Sequence, residues 1–328
     1  MRNRRWSLPL ILVFACASFN FHAQAQPKSA GDYPARPIRL IVPFPPGGSD
    51  TVARLVAQKL SERLGQQIVA DNRPGAAGVI GTQLATQATP DGYTLLFITA
   101  SLTITPSFQK LPYDLTRDLA PIAPLATGPL LLVVHPAVAA KSVGELVALS
   151  KTAPGSLNYA STGTGSITHL AAELFRRMSG ANMVHVPYKG TGPAQTDLLA
   201  GQVQVMFGVL APALPFVRSG KLRALGVTSS KRSSLAPDIP TVSEAGVRNY
   251  EAATWYGMLA PAGTSAAIVQ KLSGQIEAVL ADSDIRARLT TTGFEAAQPM
   301  GPKEFGAYIA AEIRKWSSLI KEAGIKLE

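Results

Sequence analysis

Two short stretches place glycine and hydroxyl residues directly before a helical pattern: Gly47, Gly48, Ser49 and Thr51 in one, Thr162, Gly163, Thr164, Gly165 and Ser166 in the other. A helix N-terminus carries N–H groups without intrahelical partners and a partial positive charge, so it suits an anion. Glycine lets a ligand approach the backbone closely, and serine or threonine adds a hydroxyl donor. Either turn alone reads as an ordinary N-cap, with Ser49 or Asp50 and Ser166 as the capping residues. Two such turns at matching positions of two halves of the chain point to one shared carboxylate site. Asp50 runs against that reading, because a carboxylate in the first turn already uses the dipole and repels an anion. It reads either as a cap directed away from the ligand or as a member of the site.

Other chemistries that use the same residue types fit less well. The first turn lacks the spaced second glycine and the lysine of a phosphate-binding loop, and the second has Thr168 where the dinucleotide fingerprint needs a third glycine or alanine. No G-x-S-x-G nucleophile elbow is present. His135 lies at the end of an apolar run and His185 alternates within a strand, so both read as packed or surface residues. His169, one turn into the second helix, either holds ligand or lies on a solvated face. His169 and Glu173 share i, i+4 spacing, but two ligands without H-E-x-x-H are weak grounds for a metal, and no cofactor or metal is expected. Tyr188 and Lys189 open a glycine-containing loop after a strand, at the edge where open α/β sheets bind ligands. Lys189 there pairs a second carboxylate or is simply solvated.

The elements that would position these turns alternate between strand and helix along the chain, the signature of an α/β fold with mostly parallel sheets. Ile38 to Phe44 is a β-rich apolar run, and Val52, Leu55, Val56 and Leu60 give a helix over Thr51 to Leu64. A strand at Gln67 to Ala70, a helix from Val79 to Gln87 and a strand at Thr94 to Ile98 complete this half. The plan then repeats: a helix at Val143 to Lys151, a strand at Leu157 to Ser161, and a helix with the stripe Ile167, Leu170, Leu174, Phe175 and Met178. Next come a strand at Met183 to Pro187, a helix at Ala194 to Ala200 and a strand at Val203 to Phe207. Buried extended crossings at Leu125 to Pro136 and Leu222 to Thr228 bracket this second half, and amphipathic helices at Ala266 to Leu280 and Pro302 to Ala323 end the chain. The crossings divide the chain into a discontinuous first lobe (26–128 and 226–328) and a continuous second lobe (129–225), with the site in the cleft between them.

Bulk properties narrow the setting. Arg2, Arg4 and Arg5, an apolar run from Trp6 to Ala17, and Ala23-Gln24-Ala25 have the order of a secretory signal peptide cleaved after Ala25. The run is shorter than the roughly 20 residues a membrane-spanning helix needs. The expected location is therefore the periplasm, in soluble form. The sole cysteine, Cys16, lies in that run; a lipoprotein site at Val13-Phe14-Ala15-Cys16 is disfavoured by the bulk of Phe14. Composition is 46% hydrophobic and 16% charged, enough to bury two cores, and about 300 mature residues exceed what one core usually holds. Loss of the three arginines, with no Asp or Glu before residue 26, lowers the formal charge from +10 to +7. Such a charge can steer anions, but the scattered basic residues without interleaved aromatics disfavour nucleic acid.

The stretch from Pro37 to Asp50 resembles the opening of the Bug family of tripartite tricarboxylate transporter receptors. The likeness continues through Asp71-Asn72-Arg73-Pro74-Gly75-Ala76-Ala77-Gly78, Asp91-Gly92-Tyr93-Thr94-Leu95-Leu96, Val186-Pro187-Tyr188-Lys189-Gly190, Lys221-Leu222-Arg223-Ala224-Leu225 and Trp255-Tyr256-Gly257. It covers essentially the whole mature chain. The resemblance implies a two-lobed periplasmic binding protein of the type II flytrap kind, without catalytic activity and monomeric, that serves membrane permease subunits or a sensor protein. It implies that the turns at Phe44 to Thr51 and Thr162 to Ser166 hold a carboxylate, partly through bridging water, and that Ser101 lines the cleft. Many members carry an aspartate where this chain has Gly208, which weakens an ammonium-bearing ligand and leaves room for a bulkier or purely anionic one. The competing reading is an exported hydrolase or lyase using His169 with Ser166 on a small carboxylate.

Overall fold

The computed structural model describes residues 33–46, 48–153, 155–188 and 190–326. The signal peptide, Cys16, and the readings attached to Gly47 and Lys189 lie outside the described residues. The first half runs β1 (Ile38–Val42), α1 (Gly48–Leu64), β2 (Ile68–Asn72), a 3-10 turn (Ala76–Gly78), α2 (Val79–Thr86), β3 (Thr94–Thr99), α3 (Ala100–Ile104) and a second 3-10 turn (Thr105–Ser107). The long β4 (Leu119–Val134) leads into α4 (Val143–Thr152), β5 (Asn158–Ser161), α5 (Ile167–Ser179), β6 (Val184–Pro187), α6 (Thr191–Leu199), β7 (Val205–Val209), α7 (Leu210–Arg218) and β8 (Arg223–Val227). The chain ends with β9 (Ala253–Pro261), α8 (Ala266–Ala281), α9 (Ser283–Thr291), β10 (Glu295–Ala296) and α10 (Pro302–Ala323).

The strands order as β2-β1-β3-β9-β4-β7-β5-β6, with β8 and β10 also pairing with β4. β1 is parallel to β2 and β3, and β5 is parallel to β6 and β7, so each half contains a parallel βαβ core. β4 joins them. Its first part pairs antiparallel with β9 from Leu119 to Pro129, and its last five residues pair with β7. Pro121 and Pro124 cannot donate to the ladder, and the β4–β9 register shifts beside each of them.

Packing follows the same division. Ile41, Leu96, Ile98, Trp255, Leu259, Phe305 and Ile309 form one buried cluster. Leu130, Leu132, Tyr159, Leu170, Phe175, Phe207, Tyr250 and Trp316 form another, and Leu131, Val133, Leu198, Met206 and Val227 fill the opposite face of the second half. Each fully buried side chain of this size contributes roughly 1.5–3 kcal/mol. Helix α10 belongs to both halves: Phe305 and Ile309 sit in the first cluster, Trp316, Leu319 and Ile320 in the second. Pro302 at its first turn and left-handed Gly324 just past its end bound it.

Three differences from the sequence expectations have physical reasons. Helix α1 starts at Gly48, within the glycine turn, instead of at Thr51. The Leu222 to Thr228 run is β8, which pairs with the C-terminal end of β4; the return strand is β9, whose pairing partners lie far off in sequence. Between them Val242, Val247, Tyr250 and Ala252 pack into the second cluster, so residues 226–328 supply both cores. Helix α7 was masked in the sequence by Pro212 and Pro215, which argue against helix on local grounds.

Candidate functional site

Both glycine turns open onto one cavity of about 780 Å³. Phe44 and Ser49 reach it from the β1–α1 turn, and Thr162, Gly163, Thr164, Gly165, Ser166 and Ile167 from the β5–α5 turn. Ser101 lines it as well, beside Thr99, with the two hydroxyls 2.6 Å apart. Among the described residues, none that line the cavity carries a formal charge.

The second turn is held by an internal network. Gly163 and Gly165 have φ of 135° and 76°, in the region that favours glycine. Ser166 is an N-cap after all: its hydroxyl accepts the His169 N–H at 3.3 Å and donates to Gly163 O at 2.6 Å. Thr162 N–H donates to Thr168 Oγ1 at 2.9 Å. The donors this leaves in the turn are backbone amides and the Thr164 side chain, which has no intrachain hydrogen-bond partner among the described residues.

His169 is buried and does not line the cavity. Its Nδ1 accepts the Gly165 N–H at 3.0 Å, and its ring stacks on His185 with centroids 3.9 Å apart. His185 Nε2 in turn lies 2.7 Å from Ser161 Oγ. Burial, and then the neighbouring His185, hold the His169 pKa down to about 4, so the ring is a neutral acceptor at physiological pH. Behind it, Glu173 takes the Tyr159 hydroxyl and an Arg176 guanidinium hydrogen bond of 2.6 Å. With Nδ1 facing Gly165 and the Ser166 hydroxyl directed to Gly163 O, the two side chains are not arranged as base and nucleophile. Glu173 is 4.0 Å from His169 Nε2, and no group of three metal-ligating residues occurs among the described residues.

Asp50 resolves in favour of a carboxylate turned away from the cavity. It is buried, pairs with Arg54 Nε at 2.9 Å and accepts Asn72 Nδ2 at 2.9 Å. Asn72 Nδ2 also donates to Phe44 O at 3.0 Å, so Asp50 anchors the turn that carries Phe44. Thr51 is exposed on α1 and does not line the cavity. Tyr188 donates its hydroxyl to Asp197 at 2.7 Å; it meets the site only through its carbonyl, 3.5 Å from where a Gly163 Cβ would lie. Gly208 pairs with Leu131 inside the sheet and lines a different, very small space beside Met206, so the room expected from it does not open into this cavity.

Several lining residues were not read from the sequence. Ala76 and Ala77 line the cavity with φ of 47° and 54°, between Gly75 at 135° and Gly78 at 93°. Left-handed alanines cost about 1–2 kcal/mol each, and such strain collects at ligand clamps. Gly78 is needed for packing too: a Cβ there would meet Leu102 at 2.8 Å and the Phe44 ring at 3.2 Å. Thr254 and Tyr256 reach the cavity from β9 while Trp255 points to the other face, a period-2 signal that was available in the sequence. Burial raises the Tyr256 pKa, so its hydroxyl remains protonated. Ile104, Thr105, Phe108 and Gln109 line it from α3 and the turn after it, and Ile104 and Phe108 pack in one cluster with Ile167 at the start of α5.

Comparison with known proteins settles the family on this geometry. Residues 52–325 match the model of the tripartite tricarboxylate transporter family receptor. The chain belongs to that family. Protein BugT of Bordetella pertussis is 40% identical over 313 residues, covering 93% of this chain and 94% of BugT. A Rhodopseudomonas palustris protein solved with adipate is 35% identical with a TM-score of 0.72, covering 90% of this chain and all of that one. MatC from the same organism, with bound malate, is 33% identical with a TM-score of 0.68, covering 88% of this chain and all of MatC. The receptor is thus a solute-binding protein with the two-lobed α/β fold of periplasmic binding proteins.

Proposed function

We propose that this receptor captures a small organic carboxylate in the cleft between its lobes, without turning it over, and presents it to membrane permease subunits or to a sensor protein. The observation that carries the reading is the convergence of two helix N-termini, α1 and α5, on one cavity with no charged lining residue among those described. Backbone amides and a partial helix charge can hold a carboxylate without a salt bridge. The adipate and malate of the two related structures agree with that chemistry. Residues 1–25 direct export to the periplasm, where the protein acts as a monomer, and bridging water completes the carboxylate contacts.

Release of the small molecule retained by purified protein, on denaturation, identifies the ligand by mass spectrometry. A carboxylic acid recovered unchanged after prolonged incubation is the expected result. Recovery of a product chemically derived from it would overturn the non-catalytic reading.

A further inference from the structure

The face of the sheet behind the cavity carries a contact between the two halves that the site does not use. Strand register sorts the faces: Tyr256 pairs with Ala126 and Ala126 with Ala296, while Trp255 pairs with Thr127 and Thr127 with Glu295. Cross-strand partners share a face, and successive residues alternate between faces. Tyr256 lines the ligand cavity, so Trp255, Thr127 and Glu295 face away from it, and all three line a rear cavity of about 360 Å³. The loop after β8 lines the same rear cavity through Ser229, Ser230 and Ser234. That loop belongs to the second half, because its Leu235, Ala236 and Ile239 pack with Leu131 and Val227. One oxygen of Glu295 joins the two: Oε1 accepts the Ser233 hydroxyl at 2.6 Å, the Ser234 N–H at 2.7 Å and the Ser234 hydroxyl at 2.8 Å. Ser233 is buried, and Arg232 beside it pairs with Glu244 at 2.9 Å.

Strand β4 passes from one half to the other between Pro129, its last residue paired with β9, and Leu130, its first paired with β7. Pro129 pairs with Ala253, where β9 begins, so both crossing strands meet at this point. The ligand cavity lies on one face of β9 and the Glu295 contact on the other. A turn of the halves about the crossing that narrows the front cleft therefore parts the rear contact. We propose that Glu295 is a rear latch: its hydrogen bonds to Ser233 and Ser234 hold the ligand-free receptor with its cleft open, and they break when the lobes close over a ligand. Affinity is then reduced by the fraction of molecules able to close, so a residue outside the cavity sets how tightly the cavity binds. The inference rests on the two-lobed fold and is independent of which acid the turns hold.

The test is the distance between the lobes in ligand-free mature protein, read by double electron–electron resonance between nitroxide labels at Thr51→Cys and Gly192→Cys. Cys16 is the sole cysteine of the sequence, so the mature chain offers no other labelling position. Thr51 is exposed on α1 just after the first turn; Gly192 is exposed at the start of α6, after the loop whose Tyr188 carbonyl lies beside Gly163. The otherwise unsubstituted protein is expected to show one main distance. Glu295→Ala should add a shorter one and raise its share relative to the longer about ten-fold, as the loss of hydrogen bonds to a charged group allows. Glu295→Gln keeps an acceptor oxygen and should stay closer to the unsubstituted protein. Ser233→Ala combined with Ser234→Ala removes two of the three donors, should shift the distances in the same sense, and replaces Glu295→Ala if that variant does not fold. Distances unchanged in these variants, or displaced to longer values, would overturn the latch.

Discussion

His169 gives a prediction whose sign and size follow from its surroundings. The ring must stay neutral to accept the Gly165 N–H, and its pKa in the fold is about 4 against an ordinary 6.5. Above pH 6.5 both folded and unfolded chains carry a neutral ring, and the stability is fully present. As pH falls below 6.5 the unfolded chain takes a proton that the folded one refuses, so stability is lost until the folded ring also protonates near pH 4. A gap of this size amounts to roughly 3 kcal/mol over the window. The groups facing the ring are His185 on β6, and Glu173 and Arg176 on α5, with Tyr159 on β5 behind them. Of these, Glu173 opposes the shift while His185 and Arg176 reinforce it. His169→Asn keeps an acceptor near the Nδ1 position and removes the titration. Urea unfolding at half-unit steps from pH 7.5 to 4 should show the wild type losing roughly 3 kcal/mol more than the variant. Parallel curves for the two proteins would refute the assignment of His169 as the buried neutral acceptor.

The remaining predictions probe the turns and the helix that joins the lobes. Gly163→Val forces a β-branched residue to φ 135°; the strain of about 1–3 kcal/mol should distort the turn and weaken ligand binding at least ten-fold by calorimetry, whereas unchanged affinity would remove this turn from the site. Ala77→Gly relieves a left-handed alanine and should leave stability unchanged or raise it by up to about 1 kcal/mol, because strain relief exceeds the added unfolded-state entropy; a loss above that size would show that the strain is absent. Trp316→Ala empties the most buried part of α10 and removes a 3.0 Å hydrogen bond to Glu312, with an expected cost of about 3–5 kcal/mol in urea unfolding.

The parts of the site that sequence made legible are those whose residue types are demanded by backbone geometry. Glycines at 163 and 165 are written into the chain by positive φ, and the stripe through Leu170 and Phe175 locates α5 behind them. Asp50 is ambiguous in the sequence because Arg54, one turn along the same helix, fixes only one of its oxygens, while Asn72 on β2 meets the other only after the parallel strands assemble. His169 reads in the sequence as a ligand contact or a solvated residue, whereas in the fold it is buried outside the cavity lining, its acceptor facing Gly165 and its ring covered by His185, neither of which a local pattern shows. Ala76 and Ala77 carried no signal beyond the flanking Gly75 and Gly78, since alanine does not advertise a left-handed backbone. Gly208 is singled out by the family resemblance alone, and its position within the β4–β7 pairing separates it from the cavity. Helix α10 is legible in the sequence from Pro302 to Ala323, but its packing into both cores is not, and strand β9 is missed because its partners β3 and β4 lie far off in sequence, a relation no local period records.

The proposed function rests on the α1 and α5 turns holding a carboxylate as an anion. Its most direct test is calorimetric titration of the ligand-free wild type with the acid recovered from the purified protein, beside the methyl ester of the same acid. The acid is expected to bind and the ester to lose at least a hundred-fold in affinity; equal affinity for the two would remove the anion site.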